Sequence, residues 1–312
     1  MKGWPSFFRW LTAAALLDWL IGRTVTRSAI FMPKTPFMIS AYQVLGTLGQ
    51  VTLTLTSLLA LISIIWIAWQ ERRNSAFSLL LMASVIFSLA FIIVMPDGGW
   101  PVIERMVLVA ISTVLLGWVW RAAGNLHSSI ILAIPVLAVW LGALYQLLPA
   151  LAQALHLPEA PALGRTLFNL GEILVVLTPI GLWLLLRPPE RTRVYVLAAI
   201  PAILFSIMHL IAPAMLSMMA IWSLGLTIYL PWPIYALSLW LGTVVISSAL
   251  RRDQAIGWAL LLLLTAGYGP QVSTHIFVSI SALWLMLAGR QVDQTKRVSG
   301  SLQPAQQIPV AS

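Results

Sequence analysis

The feature that most constrains this chain is the recurrence of apolar runs long enough to cross a bilayer. They fall near 45–70, 76–95, 102–120, 129–149, 166–186, 194–212, 233–250, 255–270 and 273–289, separated by short polar breaks. A helix rising about 1.5 Å per residue needs about 20 residues to cross a hydrocarbon core of about 30 Å. The last two runs are short and must lean on neighbouring helices or on flanking residues that reach the interface. Of the 312 residues only 9% are charged and 60% are hydrophobic, whereas soluble domains are about 25% charged. Such a chain has too little polar surface to face water on all sides. The pattern predicts an all-α fold, a polytopic transmembrane helix bundle of about 9–10 spans solvated by lipid.

Charge then orients the bundle. Arg72, Arg73, Arg121, Arg187, Arg191, Arg193, Arg251, Arg252, Arg290, Lys296 and Arg297 all follow spans that would end on one side. The other side offers only Arg105 and Arg165 among the later loops, beside Asp97, Glu104 and Glu159. Lys and Arg accumulate in cytoplasmic loops, so the first set and the C-terminal tail are expected in the cytoplasm of a bacterial-type cell, with the bundle in its inner membrane. The net charge of +9 fits contact with anionic lipid. Basic residues are scattered and no nucleic-acid-reading motif is present, so no nucleic-acid partner is expected.

Two segments break the regularity. Between the basic clusters that flank 194–250, the length admits three spans but the charge alternation demands an even number. Residues 213–233, bracketed by Pro213, Pro231 and Pro233, are therefore expected to be a broken or re-entrant segment, because proline withdraws a backbone donor. Irregular backbone persists at membrane depth only when buried in protein or lining a water-filled cavity. The second segment is residues 1–34, an N-terminal amphipathic or short spanning helix. Lys2, Arg9, Thr12, Arg23 and Arg27 share a stripe at about 100° per residue. Only a crossing of about residues 7–22 keeps Lys2 and Arg9 inside with residue 45 outside, and the crossing is favoured. Asp18 interrupts the apolar stretch, which argues against a signal peptide. Residues 35–290 form the bundle, and 291–312, rich in Gln, Ser and Pro, are expected to be a disordered cytoplasmic tail.

With no cysteine in the chain, disulfides, thiolate metal sites and covalent c-type haem are excluded. No phosphate loop, dinucleotide fingerprint, HExxH or GxSxG occurs, and no glycines are spaced i, i+4. No cofactor is assigned by these motifs.

The ionisable residues inside the spans are the candidate site. Arg165, Asn169 and Glu172 are spaced i, i+4, i+7 and line one helix face. An intramembrane carboxylate costs about 2.5 kcal/mol or more on insertion scales and is a functional candidate for that reason. Burial as a helix-bridging acid is the competing reading. His209 lies about 22 Å along its span and His275 opens the last span, so both share the outer leaflet with Glu172. His209, His275 and Glu172 together would make a His2Glu metal set. The two histidines could alternatively ligate a b-type haem, or each could satisfy a backbone carbonyl. Met208, Met215, Met218 and Met219 could serve as soft ligands but suit gap filling in irregular packing equally.

The stretch FSIMH at 205–209 resembles the FxxxH element of the CAAX-protease-like intramembrane metalloproteases. That family is also polytopic, with glutamate and histidine on separate helices. Its paired-glutamate EExxxR motif is replaced here by GEILVVL, with one glutamate, Glu172, and no following arginine.

The leading functional expectation is a small-molecule or ion transporter, with Glu172, Asn169, Arg165, His209 and His275 along its pathway. It lacks an ATP-binding signature, so coupling falls to an ion gradient or a partner ATPase. A metal- or haem-dependent intramembrane enzyme is the second reading. A non-catalytic subunit bound to a membrane-complex partner is the third.

Overall fold

The computed structural model describes residues 6–25, 35–94, 100–156, 158, 161–211, 230–252, 254–266 and 273–301. Every described element is helical. The helices are α1 (Ser6–Leu17), which continues as a π-helical segment (Asp18–Val25), α2 (Pro36–Gln70), α3 (Ser75–Val94), α4 (Trp100–Ala123), α5 (Leu126–Ala154) and α6 (Pro161–Leu186). They are followed by α7 (Thr192–Ala198), α8 (Ile200–Ile211), α9 (Trp232–Arg251), α10 (Ala255–Ala266) and α11 (Ser273–Ser301). Over their described residues, eight of the nine apolar runs each fall on one of these helices, and the run at 194–212 falls on two, α7 and α8. Among the described residues, six stretches are long and apolar enough to cross a membrane: Pro36–Gln70, Val102–Ala123, Leu126–Ala154, Pro161–Leu186, Thr192–Ile211 and Trp232–Arg251. Three shorter apolar helices, Ser75–Ala90, Ala255–Ala266 and His275–Arg290, complete the set. The chain is an all-α polytopic membrane protein.

Local sequence explains the helix ends. Thr35 caps α2, its hydroxyl accepting from the Met38 N–H, and Pro36 occupies the first helical position where no donor is needed. Asn125 caps α5 in the same way through the Ser128 N–H. Within the apolar helices, Ser and Thr hydroxyls donate back to carbonyls one turn earlier, as Thr56 does to Thr52 and Ser112 to Leu108. Each such bond satisfies a hydroxyl hydrogen that lipid or an apolar core could not.

Helix α11 is the axis of the bundle. From His275 to Gly289 every residue is buried, and its neighbours are α2, α4, α5 and α10. A helix apolar on all faces is stable only when enclosed on all faces. Its polar residues meet partners there: Ser281 shares a hydrogen bond with Ser63 of α2, and the Trp284 indole donates to Glu71 at 3.0 Å. By contrast α7 and α8 lie at the periphery, with Leu197, Ile203, Leu204, Leu210 and Ile211 exposed to the surroundings.

Helix α1 is packed inside the bundle against α2 and α10. Phe8 lies against Trp66 and Trp284, with ring centroids 5.6 and 6.1 Å apart. Ten residues later Asp18 meets His275, which precedes Trp284 by nine. Helix α1 therefore runs antiparallel to α11 over about 15 Å. The backbone of α11 remains helical to Ser301, and residues 302–312 of the expected tail lie outside the described residues. So do residues 212–229, which hold most of the expected broken segment and Met215, Met218 and Met219.

Candidate functional site

Helix α6 carries Arg165, Asn169 and Glu172, and its two seams fix their depth. Along α5, Gly164 and Phe168 meet Tyr145, Val175 packs with Ala138, and Gly181 meets Ile131. Numbers fall on α5 as they rise on α6, so the pair is antiparallel. Along α9, Val176 shares an apolar cluster with Tyr235 and Phe205, and a Cβ on Gly242 would stand 3.0 Å from Pro179. Here numbers rise together, so α6 and α9 are parallel. Glu172 lies seven residues before Pro179 and Tyr235 seven before Gly242, two helical turns in each case. This register sets Glu172 and Tyr235 at one level of the α6–α9 seam. Glu172 is 0% exposed and Tyr235 4%, so the carboxyl sits in low-dielectric surroundings where its charge state matters most.

Asn169 lies one turn outward. Its Oδ1 is buried and has no hydrogen-bond partner among the described residues. One further turn out, Arg165 is exposed. No ion pair joins it to Glu172. The guanidinium instead borders a cavity of about 590 Å³ lined by Tyr145, Pro149, Leu155, Pro161 and Phe168 among others. The face foreseen from the i, i+4, i+7 spacing thus descends from an open cavity to a buried carboxyl.

The histidines divide between two sides of the bundle. The His209 ring stacks on Trp232, centroids 5.9 Å apart, and Phe205 one turn deeper packs on Tyr235 at 6.0 Å. His209 is therefore one turn outward of the level of Glu172, on the far flank of α9, with Met208 packed against the same apolar cluster. His275 lies elsewhere, among α2, α10 and the end of α1. Its Nε2 stands 3.3 Å from Asp18 Oδ2, and both side chains are more than nine-tenths buried. Among the described residues, no three His, Asp or Glu side chains gather closely enough to hold a metal ion.

Sequence reasoning missed Asp18 as a site residue. The signal was present: a lone carboxylate within an apolar helix is expensive unless partnered. The local backbone adds to it. The helix turns π at Asp18, a widening often found at functional positions. A Cβ at Gly22 would lie 2.8 Å from Asp18 Oδ1, so glycine leaves the carboxylate its place. A third buried acid, Glu104, accepts from the Ser88 hydroxyl at 3.1 Å, while the neighbouring Arg105 donates to Gln146 at 2.6 Å.

At the opposite end, the α6–α7 turn is tied to the end of α9. Glu190 receives Arg251 at 2.9 Å and Arg252 at 3.6 Å. A hydrogen bond from Ser248, followed by the two guanidinium charges, holds the Glu190 carboxyl below the usual carboxylate range against an opposing desolvation effect. Tyr195 closes the same turn, accepting from the Trp183 indole and donating to the Pro188 carbonyl, each at 3.3 Å.

No known protein family, curated protein or solved structure matches this chain.

Proposed function

We propose that this protein transports a small molecule across a bacterial-type inner membrane, with Glu172 as the residue that gains and loses a proton during the cycle. The observation carrying this reading is the position of Glu172: wholly buried in the α6–α9 seam, two turns below a cavity that borders the same helix. A carboxyl with a purely structural role gains nothing from a polar face leading outward. One that exchanges protons needs such a face, and Asn169 and Arg165 supply it.

In this reading the arginine-rich turns are cytoplasmic and the cavity opens on the other side. The Glu190–Arg251–Arg252 clasp then holds the inner ends of α6 and α9 together while the outer end is open. Alternating access requires those contacts to separate when the cavity closes. His209, stacked on Trp232, flanks the outer end of α9, and His275 belongs to a distinct buried pair with Asp18.

The test uses proteoliposomes containing a pH-sensitive dye and an imposed proton gradient, with small organic anions added one at a time. Wild-type protein is expected to show solute-dependent proton entry, and Glu172→Gln to lose it. Proton entry that persists in Glu172→Gln would remove the carboxyl from the mechanism. No solute-dependent flux with any compound would sink the transport reading.

A further inference from the structure

The α5–α6 groove has the chemistry of a ligand site. Its volume of about 590 Å³ falls within the range of about 300–1,000 Å³ typical of small-molecule sites. Among the described residues the lining is apolar and aromatic, from Tyr145, Leu148, Pro149, Pro161 and Phe168, with Arg165 as the one charged residue among them. The Tyr145 and Phe168 rings lie 5.4 Å apart, tilted by 51°, and offer a wall against which a flat apolar body can lie. Gly164 lies beside the same ring: a Cβ there would stand 3.6 Å from Tyr145, an ordinary packing distance.

The charge in the groove is a guanidinium. An arginine cannot deprotonate, and its planar donors match a carboxylate in bidentate fashion. Among the described residues no carboxylate pairs with Arg165. Its counterpart on the same face of the bundle, Arg105, is occupied by Gln146 at 2.6 Å. Helix α5 has 29 residues and is about 43 Å long, some 13 Å more than the hydrocarbon core. Its final turns, which build the groove, therefore stand at or beyond the interface, within reach of the aqueous phase.

We infer that this groove binds a water-borne amphipathic organic anion, its carboxylate held by Arg165 and its apolar body against Tyr145, Pro149 and Phe168. Describing that anion as the substrate rests on the transport reading; the binding claim stands without it.

The probe is naphthoate, with naphthamide as its neutral isostere. Binding is read by saturation-transfer NMR on the full-length protein in phosphatidylcholine nanodiscs, with empty nanodiscs as the blank. Naphthoate is expected to bind, naphthamide about tenfold or more weakly, and Arg165→Ala to weaken naphthoate by a similar factor. Arg165→Lys should restore part of the loss. Should Arg165→Ala fail to fold, the comparison of acid with amide on wild-type protein still decides. Equal binding of acid and amide, or binding unchanged in a folded Arg165→Ala protein, would overturn the inference. Displacement of naphthoate by doping the nanodiscs with phosphatidylglycerol would move the occupant to an anionic lipid and overturn the water-borne source. Specific binding without proton-coupled flux would leave the site standing and remove the transport reading alone.

Discussion

The Asp18–His275 pair joins α1 to α11, and its energetic weight can be measured by a double-mutant cycle. Asp18→Ala, His275→Ala and the double variant would be unfolded by SDS titration in mixed micelles. Both side chains are more than nine-tenths buried and their closest atoms are 3.3 Å apart. Removing one leaves the other buried beside a void, which costs about 1–3 kcal/mol for a polar group. Removing both takes away the two ends of one contact, so the double variant should lose less than the sum of the singles. Polar pairs between membrane helices average about 0.6 kcal/mol of coupling and reach about 1.7. A long contact in enclosed surroundings supports a coupling of about 1 kcal/mol. Asp18→Asn refines the result, because it keeps a hydrogen-bonding group and removes the charge. If the pair is ionic, Asn should cost nearly as much as Ala; if it is a neutral hydrogen bond, Asn should cost much less. Hydrogen exchange should rise locally around residues 18–25, because Phe8, Trp66 and Trp284 hold the other end of α1 independently. Additive effects within about 0.3–0.5 kcal/mol would mean no coupling, and the reasoning would be wrong.

Two further outcomes follow from the packing and the charged turn. Gly257→Ala should destabilise by about 1–3 kcal/mol, the usual cost of overpacking. Its Cβ would fall 2.6 Å from Ala249 Cβ and 3.2 Å from the Leu250 nitrogen, neither of which can swing aside, whereas Gly117→Ala meets nothing within 4 Å and should be tolerated. Equal SDS-unfolding midpoints for the two variants would contradict this. For Glu190, a folded-state pKa below the ordinary value means that its stabilisation is complete above the unfolded pKa and is lost as pH falls through the folded one. Stability measured from about pH 6 to pH 3 should therefore show an acid-side decline that Glu190→Gln lacks, and identical profiles would refute the role of the clasp.

The spans were legible because lipid imposes one requirement that every residue reports: a run must be apolar throughout and long enough. The face bearing Arg165, Asn169 and Glu172 was legible for a similar reason, since helical spacing alone aligns i, i+4 and i+7. Depth along each span placed Glu172, His209 and His275 at comparable heights, yet height says nothing about position around the bundle. His275 is 257 residues from Asp18, and only the packing of α1 beside α10 and α2 brings them together. Asp18 was read as an interruption of an apolar stretch, when its apparent unsuitability was the sign of a partner elsewhere. The groove was equally hidden, since it arises from Tyr145 and Phe168 on facing helices with a glycine between them.

The enclosure of α11 has a consequence for biogenesis. The helix that fills the centre leaves the ribosome after α1, α2, α4, α5 and α10, so those helices enter the membrane around an axis not yet made. Until it arrives, Ser63 lacks Ser281, Glu71 lacks the Trp284 indole and Asp18 lacks His275. Insertion can proceed helix by helix, but closure must wait for α11. A chain that stalls before α11 is left without these contacts, a difference by which a quality-control protease could tell it from the closed bundle.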